Sequence, residues 1–170
     1  MADLGSAPVP PPDEAGDHIR GDGGRLIVVY ADFECPFCAV LHLRLQAPGL
    51  RVCFRHFPVR SSHPRAWPAA CAAEAAAGQG HFWEMHDALF ADTARLEDPH
   101  LWARARTLDL DLERFDLERR SDPVLARVRR DFRSGVRAGV VTTPAVFAPG
   151  ANGVLQPVTA DAFATMSPGT

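Results

Sequence analysis

The sequence predicts an α/β fold interrupted by a block of helices. Three observations predict it. A continuous apolar run stands at residues 26–30 (LIVVY), apolar strand returns at 145–148 (AVFA), and helical periodicity fills most of the chain between them. The 170 residues make one domain. Apolar residues at 46% and charged residues at 23% are an ordinary globular mixture, able to build a core without disulfide staples.

Residues 1–24 are rich in Pro, Gly and Asp and nearly free of large apolar side chains. Such a segment buries too little surface to offset its ordering entropy, so it reads as a flexible leader to about Asp17, with 18–20 at the domain edge. The run 26–30 lacks alternation, which suits a strand covered on both faces of a parallel or mixed sheet. A helix follows, opening at residues 35–38 and closing at Pro48-Gly49. Residues 50–57 form a second strand, stopped by Pro58.

The middle of the chain is helical. Residues 64–77 are alanine-rich and end at Gly78, and 81–90 carry Phe82, Met85, Leu89 and Phe90 at helical spacing. Asp98-Pro99 is an N-cap followed by proline at the first helical position, opening a helix to about 107. A short helix at 111–119 precedes a longer one that starts at Ser121-Asp122-Pro123 and ends at Gly139. Leu125, Val128, Phe132 and Val136 give that helix its apolar stripe. Strand 145–148, a turn at 149–153 and strand 154–156 read as a hairpin, and 159–166 as a last helix. The division that results is 25–60 with 140–166 as the α/β domain and 61–139 as an inserted helical subdomain.

Charge excludes several chemistries. All 18 basic residues are arginine and none is lysine, which removes Schiff-base, pyridoxal-phosphate and P-loop lysine mechanisms. The net charge of −3 gives no basic surplus for a nucleic acid, and Arg127, Arg129, Arg130, Arg133 and Arg137 read as a solvated helix face. No stretch approaches the ~20 apolar residues of a membrane span. No positive region followed by an apolar core marks a secretory signal, so the expected location is cytoplasmic, an exported trimmed form being the alternative.

The chemistry sits in Cys35-Pro36-Phe37-Cys38. Two intervening residues let both sulfurs meet across the first turn of a helix. Pro36 falls at the first helical position, where its missing N–H costs nothing. Cys35 lies at the helix N-terminus, where unpaired N–H groups and the helix dipole favour its thiolate. Cys38 is the natural resolving thiol. Inert thiols are one alternative. Zinc is another, because Cys53 and His56 complete a C-x2-C…C-x2-H pattern, although both stand in an apolar strand without a knuckle turn.

Further stretches give the motif a context. The sequence resembles the DsbA-like thioredoxin-fold disulfide oxidoreductases in residues 30–38 (YADFECPFC), 54–58 (FRHFP), 81–90 (HFWEMHDALF) and 139–144 (GVVTTP). The resemblance implies a thioredoxin fold with an inserted α-helical subdomain. It implies thiol–disulfide exchange with protein or peptide thiols, a redox-active Cys35–Cys38 disulfide with no other cofactor or metal, and an unidentified redox partner. It also implies a cis Thr143–Pro144 bond facing the cysteines, with Thr143 offering its backbone to an extended substrate. Two positions depart from the family pattern. Val29 stands six residues before Cys35, where the family often carries a buried carboxylate, and Asp32 and Glu34 are the nearby acids. Phe37 stands where the stronger oxidants carry histidine, so the expected potential lies between ~−270 mV for thioredoxin and ~−120 mV for DsbA. With no lysine or motif histidine, stabilisation of the Cys35 thiolate is expected to rest mainly on backbone N–H groups, a folded-back arginine being the alternative. Cys53 and Cys71 read as buried free thiols, a disulfide between them being the alternative, and His56, His63, His81 and His86 as packing residues, with a place in the substrate groove as the alternative for His56 or His63. A glutathione-linked transferase or isomerase on the same fold is the other enzyme reading, and a zinc-binding or chaperone-like module is the non-enzyme one.

Overall fold

The computed structural model describes residues 7–159. In chain order the elements are β1 (His18–Arg20), β2 (Arg25–Ala31), α1 (Pro36–Leu45), β3 (Leu50–His56), α2 (Ala66–Ala77), α3 (Phe82–Ala91), α4 (Asp98–Thr107), α5 (Leu112–Glu118), α6 (Asp122–Arg137), β4 (Ala145–Pro149) and β5 (Leu155–Val158). The strands form one mixed sheet in the order β1-β3-β2-β4-β5. β2 runs parallel to β3, placing Ile27 opposite Val52 and Val29 opposite Phe54, with α1 as the crossover. On its other side β2 pairs antiparallel with β4, Val29 opposite Val146.

β2 is therefore central and covered on both faces, which is why its sequence is apolar without alternation. Its side chains still alternate in destination. Ile27, Val29 and Ala31 enter the larger core with Phe33, Cys35, Cys38 and the helical block. Val28 and Tyr30 enter a smaller core with Cys53, Phe57 and Phe147. In α2 every residue from Ala69 to Ala76 is buried, because α3, α5 and α6 all pack on it. Small side chains allow that close approach, so the alanine run is a packing feature.

Two expectations change. The leader is ordered over its described part. β1 adds antiparallel to β3, with His18 opposite Phe54, and Val9 is buried. Asp17 pairs with Arg55 at 2.8 Å, both side chains inaccessible, and Arg55 also donates to the Pro10 and Pro11 carbonyls. Composition undercounts such a segment because long-range ion pairs and a shared strand, not apolar area, hold it. The second change is the buried seam of α6, which runs through Val128, Asp131 and Gly135, leaving Val136 53% exposed. Gly135 lets the Phe57 ring lie against the helix, since a Cβ there would stand 2.6 Å from Phe57 Cδ2. Asp131 accepts the His56 N–H and pairs with Arg127, so Arg127 is mostly buried and not on a solvated face. The last helix expected at 159–166 lies, from residue 160 on, outside the described residues.

Candidate active site

The carboxyl end of β2 delivers the motif to the edge of the larger core. Cys35 is the N-cap of α1 with extended backbone, φ −80° and ψ 119°, and Pro36 occupies the first turn. No side chain caps that end, and the N–H groups of Phe37 and Cys38 lie toward Cys35. The Cys35 N–H donates to the Asp32 carbonyl at 3.1 Å. The Asp32 N–H in turn donates to Cys38 Sγ at 3.5 Å. The Thr143–Pro144 peptide bond is cis, and Cys35 Sγ donates to the Thr143 carbonyl at 3.5 Å. The structure thus brings Cys35, Cys38 and Thr143 together across 108 residues of chain. Both cysteines are free thiols and buried, while Phe37 between them and Val141, two residues before Thr143, are 72% and 89% exposed.

The two thiols are driven apart in acidity. The Cys38 thiol, hydrogen-bonding to Cys35, is the main cause that lowers Cys35 to about 5. The Thr143 hydroxyl and the N–H groups of Cys38 and Phe37 add to this against the opposing effect of burial. Backbone N–H groups contribute, as the sequence suggests, but they are not the leading cause, and no arginine is among the causes. Burial and the neighbouring Cys35 push Cys38 far above the ordinary thiol range. The thiolate is favoured at Cys35 and the protonated thiol at Cys38.

Neither nearby acid lies as a base under Cys38. Val29 belongs to the same apolar core as Cys38. The Asp32 carboxylate accepts the Glu34 N–H at 2.7 Å on Oδ1, and the Val59 N–H and His63 Nδ1–H, each at 2.8 Å, on Oδ2. Glu34 pairs with Arg65 at 2.8 Å. His63 is thereby tied to the motif loop, although its sequence gives no sign of that.

The four groups of the zinc pattern do not converge. Cys53 and His56 are three apart on one strand and so face opposite sides of the sheet, Cys53 in the smaller core and Cys35 and Cys38 in the larger. Cys71 lies across the sheet from Cys53. Burial raises these two thiols, Cys53 to about 12 and Cys71 to about 11. Among the described residues, two other groups have metal-ligand composition, His18 with His56 and Glu74, and His42 with His86 and Asp87. Each carboxylate already faces a guanidinium, Glu74 that of Arg127 at 3.6 Å and Asp87 that of Arg20 at 2.8 Å. A dication would have to displace that charge.

Comparison with known proteins places this arrangement. A thioredoxin family model matches residues 22–166. The chain belongs to the thioredoxin family. Its fold is that of the DsbA-like members. A thioredoxin-like oxidoreductase from Silicibacter pomeroyi superposes with TM-score 0.73 at 22% identity, covering 86% of each chain. The thiol-disulfide exchange protein α-DsbA2 of Wolbachia pipientis gives 0.71 at 15%, covering 86% of this chain and 82% of the other. The catalytic domain of Proteus mirabilis ScsC gives 0.69 at 17%, covering 88% and 85%. Among curated sequences, Na+/H+ antiporter NhaA 3 of Salinispora tropica is 41% identical over 147 residues, 82% of this chain but 22% of the antiporter. The NhaA antiporter of Herminiimonas arsenicoxydans is 42% identical over 157 residues, 88% of this chain and 25% of the antiporter. This thioredoxin-family chain spans about a quarter of the length of those relatives. Among its described residues no helix is long and apolar enough to cross a membrane.

Proposed function

We propose that the chain is a thiol–disulfide oxidoreductase acting on protein or peptide thiols, with Cys35 as nucleophile and Cys38 as resolving thiol. The observation that carries this reading is the split acidity of the pair at a helix N-terminus, with Cys35 lowered to about 5 and Cys38 raised. In the reducing direction the Cys35 thiolate attacks a substrate disulfide. A Cys35–substrate S–S bond forms, and the other substrate sulfur leaves as thiolate and takes a proton from water. Cys38 loses its proton to water and attacks Cys35 Sγ. The Cys35–Cys38 bond forms, the mixed bond breaks, and the substrate carries away the two electrons. Oxidation of a dithiol is the same sequence reversed. Thr143 stands where its backbone can hold an extended substrate beside Cys35, and the only redox group required is the Cys35–Cys38 disulfide. A redox partner of the same thiol chemistry would recycle it.

Insulin reduction and dithiol-peptide oxidation test the assignment. Cys35→Ser abolishes both, whereas retained activity in this variant refutes the reading. Cys38→Ala leaves the first attack intact and accumulates mixed disulfides, detected by mass. One tightly bound zinc per reduced wild-type chain would favour an interaction module instead.

A further inference from the structure

The mechanism above uses both cysteines but leaves Asp32 without a role. Its side chain is inaccessible to solvent, yet it is a carboxylate at the end of an apolar strand. Such a group is retained in a core only where donors satisfy it. Here three do, and each comes from outside its own peptide: Glu34 N–H in the motif loop, and Val59 N–H and the His63 imidazole in the loop after β3. The main chain of the same residue addresses both redox thiols. Its carbonyl accepts the Cys35 N–H, and its N–H donates to Cys38 Sγ.

We propose that Asp32, clamped by His63, is the positioning residue of the resolving step: its carboxylate fixes the peptide group whose N–H stabilises Cys38 as it becomes a thiolate. This rests on the exchange function proposed above. Cys38 is buried and hard to ionise, and attack on the mixed disulfide goes through its thiolate. A fixed N–H donor aimed at the sulfur raises the thiolate fraction where no carboxylate base is at hand. The Asp32 N–H is one of the few groups that act on Cys38 in that direction. Releasing the carboxylate lets the peptide plane rock and weakens that donation.

The step is read directly by loading Cys35 with glutathione and following release of the glutathione thiolate as Cys38 displaces it. Asp32→Ala is expected to slow release about tenfold, the equivalent of one hydrogen bond to a charged acceptor. Asp32→Asn, which keeps an acceptor oxygen, lies between. The first step, alkylation of Cys35 by iodoacetamide, changes much less in both. His63→Asn, whose amide can replace the Nδ1 donor, retains the wild-type release rate, and His63→Leu does not. Should Asp32→Ala fail to fold, the His63 pair and Asp32→Asn decide the matter. A purely structural role predicts lowered melting temperature with an unchanged release rate in folded variants, and that result overturns the proposal. Wild-type protein that exchanges no disulfide refutes the proposed function and this inference with it. An active wild type with unchanged variants refutes only the inference.

Discussion

The acidity of Cys35 should depend on its partner sulfur more than on the helix. The Cys38 thiol is the largest cause lowering Cys35 to about 5, ahead of Thr143 and the two N–H groups. Cys38→Ala removes that donor and leaves the others in place. A hydrogen bond to a charged group contributes ~1.5–3 kcal/mol, and ~1.4 kcal/mol moves a pKa by one, so Cys35 should then titrate between about 6 and 7. Cys38→Ser restores a donor and should bring the value back toward about 5. The assay is the ultraviolet absorbance of the thiolate against pH in the reduced protein. It reads Cys35 alone, because Cys53 at about 12 and Cys71 at about 11 stay protonated through that window. If Cys38→Ala still titrates near 5, the backbone N–H groups carry the stabilisation and the reasoning fails.

Three further outcomes are expected. Equilibration with glutathione should place the Cys35–Cys38 potential between ~−270 and ~−120 mV, and Phe37→His should raise it by putting a cation beside the thiolate; a value outside this range refutes the argument from Phe37. Gly135→Ala should overpack the Phe57 and Tyr30 rings, which would lie 2.6 and 3.0 Å from the new Cβ, and lower stability by ~1–3 kcal/mol in denaturant melts. Glu74 is raised by burial, but hydrogen bonds from His18 and His56 hold it down to about 2, so its ionised form is favoured in the native state. Its stabilisation, on the order of 3 kcal/mol, is complete above the ordinary glutamate pKa and is lost as pH falls toward 2. The stability gap between wild type and Glu74→Gln should therefore close over that interval, and a gap that persists at pH 2 contradicts the assignment.

Legibility in the sequence followed the range of the forces involved. β2 announces itself because burial on both faces demands an unbroken apolar run, and β3 does so through Val52, Cys53 and Phe54, although Arg55 and His56 are buried in it too. Cys35 and Cys38 are three residues apart, so their meeting is local geometry. The distant Thr143 was reached through resemblance, since nothing near it in the chain specifies what it will face. Asp32 escaped because its partners Val59 and His63 are 27 and 31 residues away. β1 escaped for the same reason: Asp17 finds Arg55 38 residues downstream and Arg130 113 downstream. The α6 stripe is legible in Val128, which is buried, and in Leu125 and Phe132, which pack against the cores, but not in Asp131 and Gly135, which are not apolar yet fill the buried seam while Val136 is exposed. The failure of the zinc spacing is legible in the sequence, because residues three apart on a strand cannot share a face.

β1 also governs how the protein behaves in company. Without it β3 would be an outermost strand with a row of open amides and carbonyls beside apolar residues, a template for chain-to-chain growth. That hazard matters for a protein whose proposed substrates dock in extended form beside Cys35. The stretch matched by the family model starts at residue 22, after β1. A fragment trimmed to that boundary would keep both redox thiols but strip the sealed edge and strand the Arg55 guanidinium without Asp17. Its expected failing is self-association in solution, with the chemistry of the pair still intact.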